Sequence, residues 1–275
     1  MIRLALRVRR ADAEIVLAEL LELAPAGVEE RDVDDDVVEY AVYGAPGELP
    51  ALPDLRAAAG GALVDVATTD VADDWAERWR TFHAPVTVSG RMHVRAPWHA
   101  APAPGAELVD VVIDPAQAFG TGAHATTRMC LDLLLSLEPG GPLLDLGCGS
   151  GVLAIAAAKL GWAPVAGVDH DRLAIEATRD NARVNGVHVQ ARRYDLMRDG
   201  PAPTAPVVLA NLLGPLLNRL AEVGFAGDAP ATLIASGLLT TEADAIAAAF
   251  ARRGLVERTR RTDGEWAALL LAAPR

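Results

Sequence analysis

The sequence predicts an α/β protein, a mostly parallel sheet with helices on both faces, preceded by a small α+β domain of ferredoxin-like topology. Three observations predict it. Residues 143–271 alternate short apolar runs with amphipathic stretches, the pattern of repeated strand–helix units. Residues 1–70 read as strand, helix, strand, strand, helix, strand, the order of the split β-α-β sandwich. A glycine-rich turn, Gly147-Cys148-Gly149-Ser150-Gly151, joins a strand to a helix. Turns of that kind lie at the carboxyl edge of such sheets, where ligands bind.

Each element has a local reason. Arg3 to Val8 alternates polar and apolar residues, the period of a half-buried strand. Ala11 to Leu23 places Ile15, Val16, Leu20 and Leu23 at helical spacing, and Gly27 follows as a C-terminal cap would. Val28 to Val33 and Val37 to Val42 read as strands around the acidic turn Asp34-Asp35-Asp36. A helix over Leu52 to Ala59 ends at Gly60-Gly61, and Leu63 to Val66 is the fourth strand. Val71 to Phe82 predicts a linker helix, ended by Pro85, with Trp75, Trp79 and Phe82 on one face for packing between domains. Residues 91–113 predict a hairpin of Met92 to Val94 with Leu108 to Ile113, across a Pro/Ala-rich loop. Strands are then expected at Leu143 to Leu146, Val165 to Val168, Val189 to Arg193, Val207 to Ala210, Leu233 to Ser236 and Trp266 to Leu271. Helices are expected at Val152 to Leu160, Arg172 to Asn185, Leu213 to Val223 and Thr241 to Arg253. The expected domains are 1–70 and 91–275, with a linker helix over 71–90.

Composition excludes several classes. With 275 residues and 51% hydrophobic content, one large or two modest cores are affordable. No apolar run reaches the ~20 residues of a membrane span, and the start lacks the pattern of a signal peptide. A cytoplasmic protein is expected. Cys130 and Cys148 are too few for a disulfide framework, and the six histidines lack metal-ligand spacing, so no metal is expected. The net charge of −12 argues against direct nucleic-acid binding. Residues 1–70 hold 15 acidic residues against 6 arginines, either a solvated surface or one that attracts a basic partner. The single lysine, Lys159, among 24 arginines reads as compositional bias.

The glycine turn decides the ligand class. A dinucleotide fingerprint from Gly147 would need glycine at position 152, which is Val152. The spacing is instead G-x-G-x-G, with Asp145 preceding it on the strand, the pattern of class I methyltransferases. The next strand ends at Asp169, 22 residues after Gly147, where a carboxylate can accept from both ribose hydroxyls. The structural alternative for Asp169 or Asp171 is a helix N-cap. Asp195, after the third strand, either accepts from an adenine amino group or shapes a turn.

Two further segments are Asp114 to Arg128, containing Phe119-Gly120-Thr121-Gly122-Ala123-His124-Ala125-Thr126-Thr127-Arg128, and Ala210-Asn211-Leu212-Leu213. Together with the glycine turn, the Asp74-Trp75 and Trp79-Arg80 region, Ala96-Pro97-Trp98 and Gly264-Glu265-Trp266, they closely resemble the PrmA family, the bacterial methyltransferases of large-subunit ribosomal protein L11. The resemblance covers nearly the whole chain and implies a class I, Rossmann-like fold with a mostly parallel seven-stranded sheet.

The resemblance implies S-adenosyl-L-methionine as methyl donor and S-adenosyl-L-homocysteine as product. It implies that Thr127, Gly147, Gly149, Gly151, Asp145, Asp169, Asp195 and Asn211 bind the donor. Phe119 and Thr121, with Gly120 and Gly122, would cover it. Thr126 or Thr127 would also serve as the cap of the following helix, and His124 would be a base or a structural residue. Asn211, through its side-chain oxygen, and Leu212, through its carbonyl, would accept the hydrogens of an acceptor amine. Those amines are expected on lysines and the terminus of L11, a basic protein drawn to residues 1–70, and the enzyme is expected to be a monomer. The Asn-Leu-Leu run lacks the prolines and aromatic of the Asn-Pro-Pro-aromatic turn of adenine methyltransferases, which favours a protein amine over a flipped base. Alternatives are another protein lysine, a small-molecule amine, or a non-catalytic donor-binding module.

Overall fold

The computed structural model describes residues 2–13, 16, 17, 20, 28–34, 36–44, 49, 55, 59–70, 84–115 and 122–274. Contacts divide the chain into two units, Met1–Phe82 and His83–Arg275.

In the first unit, β1 (Ile2–Arg9), β2 (Glu29–Asp32), β3 (Val37–Gly44) and β4 (Leu63–Asp70) form an antiparallel sheet in the order β2-β3-β1-β4. This is the strand order of the split sandwich. Alternation puts Leu4, Leu6 and Val8 on one face with Val38, Tyr40 and Val42. Ala13, Val16 and Leu20 are helical, as are Leu55 and Ala59, and all five pack into that core. The remainder of the two expected helices and the Gly27 cap lie outside the described residues. So does the aromatic linker helix over 71–82. Within 84–90 the chain is not helical: β5 (Val86–Val88) runs there.

The expected hairpin across residues 96–108 is not formed. β6 (Met92–Arg95) pairs in parallel with β7 (Val109–Val112), and antiparallel with β5. The long loop lets the chain cross back before pairing, so its two flanking strands run the same way. The tight turn lies earlier, at Ser89 and Gly90, whose φ values of 51° and 63° are those of a mirror-image hairpin turn.

The large sheet contains β8 (Leu143–Leu146), β9 (Val165–Asp169), β10 (Gln190–Arg193), β11 (Val207–Asn211), β12 (Thr232–Leu239), β13 (Val256–Asp263) and β14 (Trp266–Ala272). Its order is β10-β9-β8-β11-β12-β14-β13. The first five strands are parallel, and β14 runs antiparallel to both neighbours. Helices α1 (Ala125–Leu135), α2 (Val152–Leu160), α3 (Arg172–Val184), α4 (Gly214–Val223) and α5 (Ala243–Ala251) cover it. Residues along β11 alternate between two cores: Val207 and Leu209 face the core of α1 and α2, Val208 and Ala210 that of α4 and α5. Each fully buried leucine or valine in these cores is worth roughly 1.5–3 kcal/mol. β13 was not expected; its run Val-Glu-Arg-Thr-Arg-Arg-Thr-Asp is that of an exposed, charged edge strand. No described helix is long and apolar enough to cross a membrane.

Candidate active site

The carboxyl ends of β8, β9, β10 and β11 open onto two adjoining cavities. One, of about 330 Å³, is lined by Gly147, Asp169, Asp195, Met197 and Leu216, with apolar walls from Leu146, Val168 and Leu196. The other, of about 180 Å³, is lined by Thr127, Gly147, Cys148, Asp169, Asn211 and Leu212. Gly147, Asp169, His170, Leu212 and Leu216 belong to both, so the two form one groove.

The glycine turn positions the junction. The N–H groups of Gly147 and Cys148 both donate to the Val168 carbonyl, at 2.8 and 3.0 Å, folding the turn across the end of β9. Gly147 has φ +77°, and a Cβ there would lie 2.4 Å from Leu212 Cδ2. A side chain at this position is therefore opposed by both backbone strain and contact. Gly151 is the N-cap of α2 and lines neither cavity. The Cys148 side chain packs with Ile175 and Ala191 below the turn, and burial pushes its thiol pKa up.

Two carboxylates face the larger cavity. Asp169 accepts from the Gly149 N–H at 3.0 Å through Oδ2 and from Asp171 N–H at 3.0 Å through Oδ1. It is not the helix cap; Asp171 caps α3 by accepting from Leu173 N–H. Asp195 accepts from Met197 N–H at 2.9 Å, the turn role, and also lines the cavity. An ionised carboxylate has lone pairs for further donors. Two carboxylates along an apolar-walled slot offer acceptors of the chemical kind that ribose hydroxyls and an adenine amine require.

Asp145 lies elsewhere. It is fully buried beneath the turn, accepts from the Ala154 N–H at 3.1 Å, and lines neither cavity. Burial pushes its pKa up to about 7, against one lowering contact from that hydrogen bond. Its Oδ1 has no hydrogen-bond partner among the described residues.

At the far end of the groove, Thr127 is fully buried in the first turn of α1, and its Oγ1 accepts from Asn211 Nδ2 at 3.4 Å. The Asn211 Oδ1 is buried with no partner among the described residues. An unsatisfied buried acceptor costs about 1–3 kcal/mol, a cost an incoming donor removes. The cap of α1 is His124, not a threonine: its side chain accepts from Thr126 N–H and its ring sits edge-on to Trp266 at 5.1 Å. Burial and the charge of Arg128 hold the His124 pKa below its ordinary value. Phe119, Gly120 and Thr121 lie outside the described residues. His170 and Met197 were missed by sequence reasoning; their signal was adjacency to Asp169 and Asp195 at strand ends. Among the described residues, no cluster of three or more His, Cys, Asp or Glu is placed to hold a metal ion.

Comparison with known proteins follows the same lines. A family profile described as ribosomal protein L11 methyltransferase (PrmA) matches residues 53–273. A relative named ribosomal protein L11 methyltransferase, from Burkholderia ambifaria, is 36% identical over 276 residues and covers 90% of each chain. One of the same name from Pectobacterium atrosepticum is 44% identical over 181 residues, 65% of this chain and 60% of its own. The crystal structure of the ribosomal protein L11 methylase from Lactobacillus delbrueckii subsp. bulgaricus matches with a TM-score of 0.61 at 24% identity, covering 70% of this chain and 99% of that one. That last likeness is one of fold.

Proposed function

The chain belongs to the ribosomal protein L11 methyltransferase (PrmA) family, and from that premise we propose that it transfers methyl groups from S-adenosyl-L-methionine to lysine and terminal amino groups of ribosomal protein L11, leaving S-adenosyl-L-homocysteine. The observation that carries the site assignment is the buried, unpartnered Asn211 Oδ1, at the end of the groove that holds Asp169 and Asp195.

The donor supplies a methyl group already activated by its sulfonium charge. The chain's own residues bind and orient. Asp169 accepts from the ribose, Asp195 from the adenine, and Gly147 with Thr127 holds the methionine end. Gly149 holds Asp169 in place through its N–H, while Asp145 ties the end of β8 to α2 through the Ala154 N–H and Gly151 caps that helix. Phe119 and Thr121 cover the donor. An acceptor amine of pKa near 10 must enter neutral, and a low-dielectric pocket favours that form. Asn211 Oδ1 and the Leu212 carbonyl accept its hydrogens and aim the lone pair, so the acceleration comes from positioning and desolvation.

Residues 1–70, with 15 acidic residues against 6 arginines, recruit the basic substrate. The enzyme works as a cytoplasmic monomer without direct contact to nucleic acid. Incubation with methyl-labelled donor and purified ribosomal proteins, read by mass spectrometry, tests the proposal. Label on L11 amines is expected. Label confined to another protein, or full modification of L11 by a chain lacking residues 1–70, refutes the corresponding part.

A further inference from the structure

Helix α4 begins at Gly214, three residues after Asn211. Its N-cap, Leu213, makes no side-chain cap hydrogen bond, and its first turn holds no acidic residue. Local sequence therefore leaves the positive end of the helix uncompensated. Compensation comes from 28 residues further along the chain. The Glu242 carboxylate accepts from the Leu239 N–H at 2.8 Å. It lies so close to Gly214 that a Cβ there would fall 2.5 Å from Oε1.

The same segment holds the other end of the turn. The Leu212 N–H donates to the Ser236 carbonyl at 2.9 Å. The Leu212 peptide rests on Gly237, where a Cβ would meet its oxygen at 2.5 Å. Ser236 is itself fixed, its hydroxyl 3.2 Å from both the Thr126 and Ala267 carbonyls, either of which can accept its one hydrogen. The carboxyl-terminal half of β12 and the residue that caps α5 thus support the turn from Asn211 to Gly214 at both ends.

We infer that Glu242 is a positioning residue for methyl transfer: its carboxylate, seated against Gly214 at the start of α4, fixes the turn that presents Asn211 and Leu212 to the acceptor amine. The inference rests on the amine-accepting role proposed for that turn. A displaced turn moves two acceptor oxygens at once, which lowers the population of the aligned amine rather than the affinity for either substrate.

The experiment compares Glu242→Ala, Glu242→Gln, Gly214→Ala, Asn211→Ala and the Glu242→Ala, Asn211→Ala pair. The readouts are kcat, acceptor KM, donor Kd and thermal unfolding. Glu242→Ala is expected to lower kcat at least tenfold, with donor Kd and acceptor KM within about twofold. Glu242→Gln keeps the oxygen that accepts from Leu239 and should recover most of that loss. Gly214→Ala, which displaces the carboxylate by a methyl group, should reproduce it even where Glu242→Ala folds poorly. Glu242→Ala should add little to Asn211→Ala, because both act through one turn. Unchanged kcat in both Glu242→Ala and Gly214→Ala, parallel loss of donor binding, or additive losses in the pair would overturn the inference while leaving the Asn211 role standing. An Asn211→Ala variant of undiminished kcat removes that role, and the inference with it.

Discussion

Asp145 makes the stability of this fold depend on pH in a direction opposite to that of most carboxylates. Its side chain is fully buried, and burial raises its pKa from 3.8 to about 7. Below about pH 4 the folded and unfolded chains both hold the proton, and the stability is fully present. As the pH rises, the unfolded chain releases the proton first and the folded chain must either keep it or bury a charge. Stability is lost progressively as the pH passes through the folded value near 7, and levels off above it. The full cost is roughly 4 kcal/mol, of which roughly 2 to 3 kcal/mol falls between pH 5 and pH 8. Asp145→Asn retains an oxygen for the Ala154 N–H and cannot ionise. The melting temperature of this variant relative to the natural chain should therefore climb by roughly 5 to 10 °C from pH 5 to pH 8. Every other titrating group is common to both proteins, so calorimetry of the pair isolates Asp145. A difference that stays flat across this range would refute the reasoning.

Gly147→Ala combines left-handed backbone strain of about 1–2 kcal/mol with a methyl placed 2.4 Å from Leu212 Cδ2. Donor affinity measured by titration calorimetry should fall at least tenfold, and a Kd within twofold would show that the junction yields freely. In the first unit, Glu39 is nearly inaccessible and meets Arg3, Arg7 and Arg31 at 2.7, 2.8 and 3.1 Å. Glu39→Ala should cost about 1–3 kcal/mol in urea unfolding, below the range of fully buried pairs because the arginines remain partly wet. Its hydrogen bond with Arg3, foremost, holds Glu39 below the ordinary 4.5. That contribution therefore persists above the ordinary value and fades as the pH falls through the lowered one.

What was legible in the sequence is what the backbone alone dictates. The glycine turn and Asp169 were readable because a strand-to-helix turn and the next strand end occupy predictable places. The inner parallel strands β8, β9, β11 and β12 were readable because burial on both faces makes them largely apolar, whereas β10, Gln-Ala-Arg-Arg at the sheet edge, is mostly exposed. β13 was not, since an edge strand carrying Glu257, Arg258, Arg260 and Arg261 has no apolar period. The β5–β6 hairpin was hidden because Ser89 takes a positive φ that its side chain does not advertise. The roles of Asp145 and His124 depended on which group faces inward, and spacing does not settle that. Glu242 was beyond reach for a different reason: its partner Gly214 is brought to it only when α4 and α5 pack side by side on one face of the sheet.

The same packing explains why the groove lies where it does. β8 has β9 on one side and β11 on the other, so the strand order reverses direction at β8. The chain leaving β8 turns into α2 on one face, and the chain leaving β11 turns into α4 on the opposite face. Their carboxyl ends therefore part, and a crevice opens between them. A methyl donor held along β8, β9 and β10 and an amine held by the end of β11 can meet only in that crevice. The contact of Leu212 with Gly147 spans it. The support that Ser236, Gly237 and Glu242 give from behind holds the acceptor turn on its own side of that crevice.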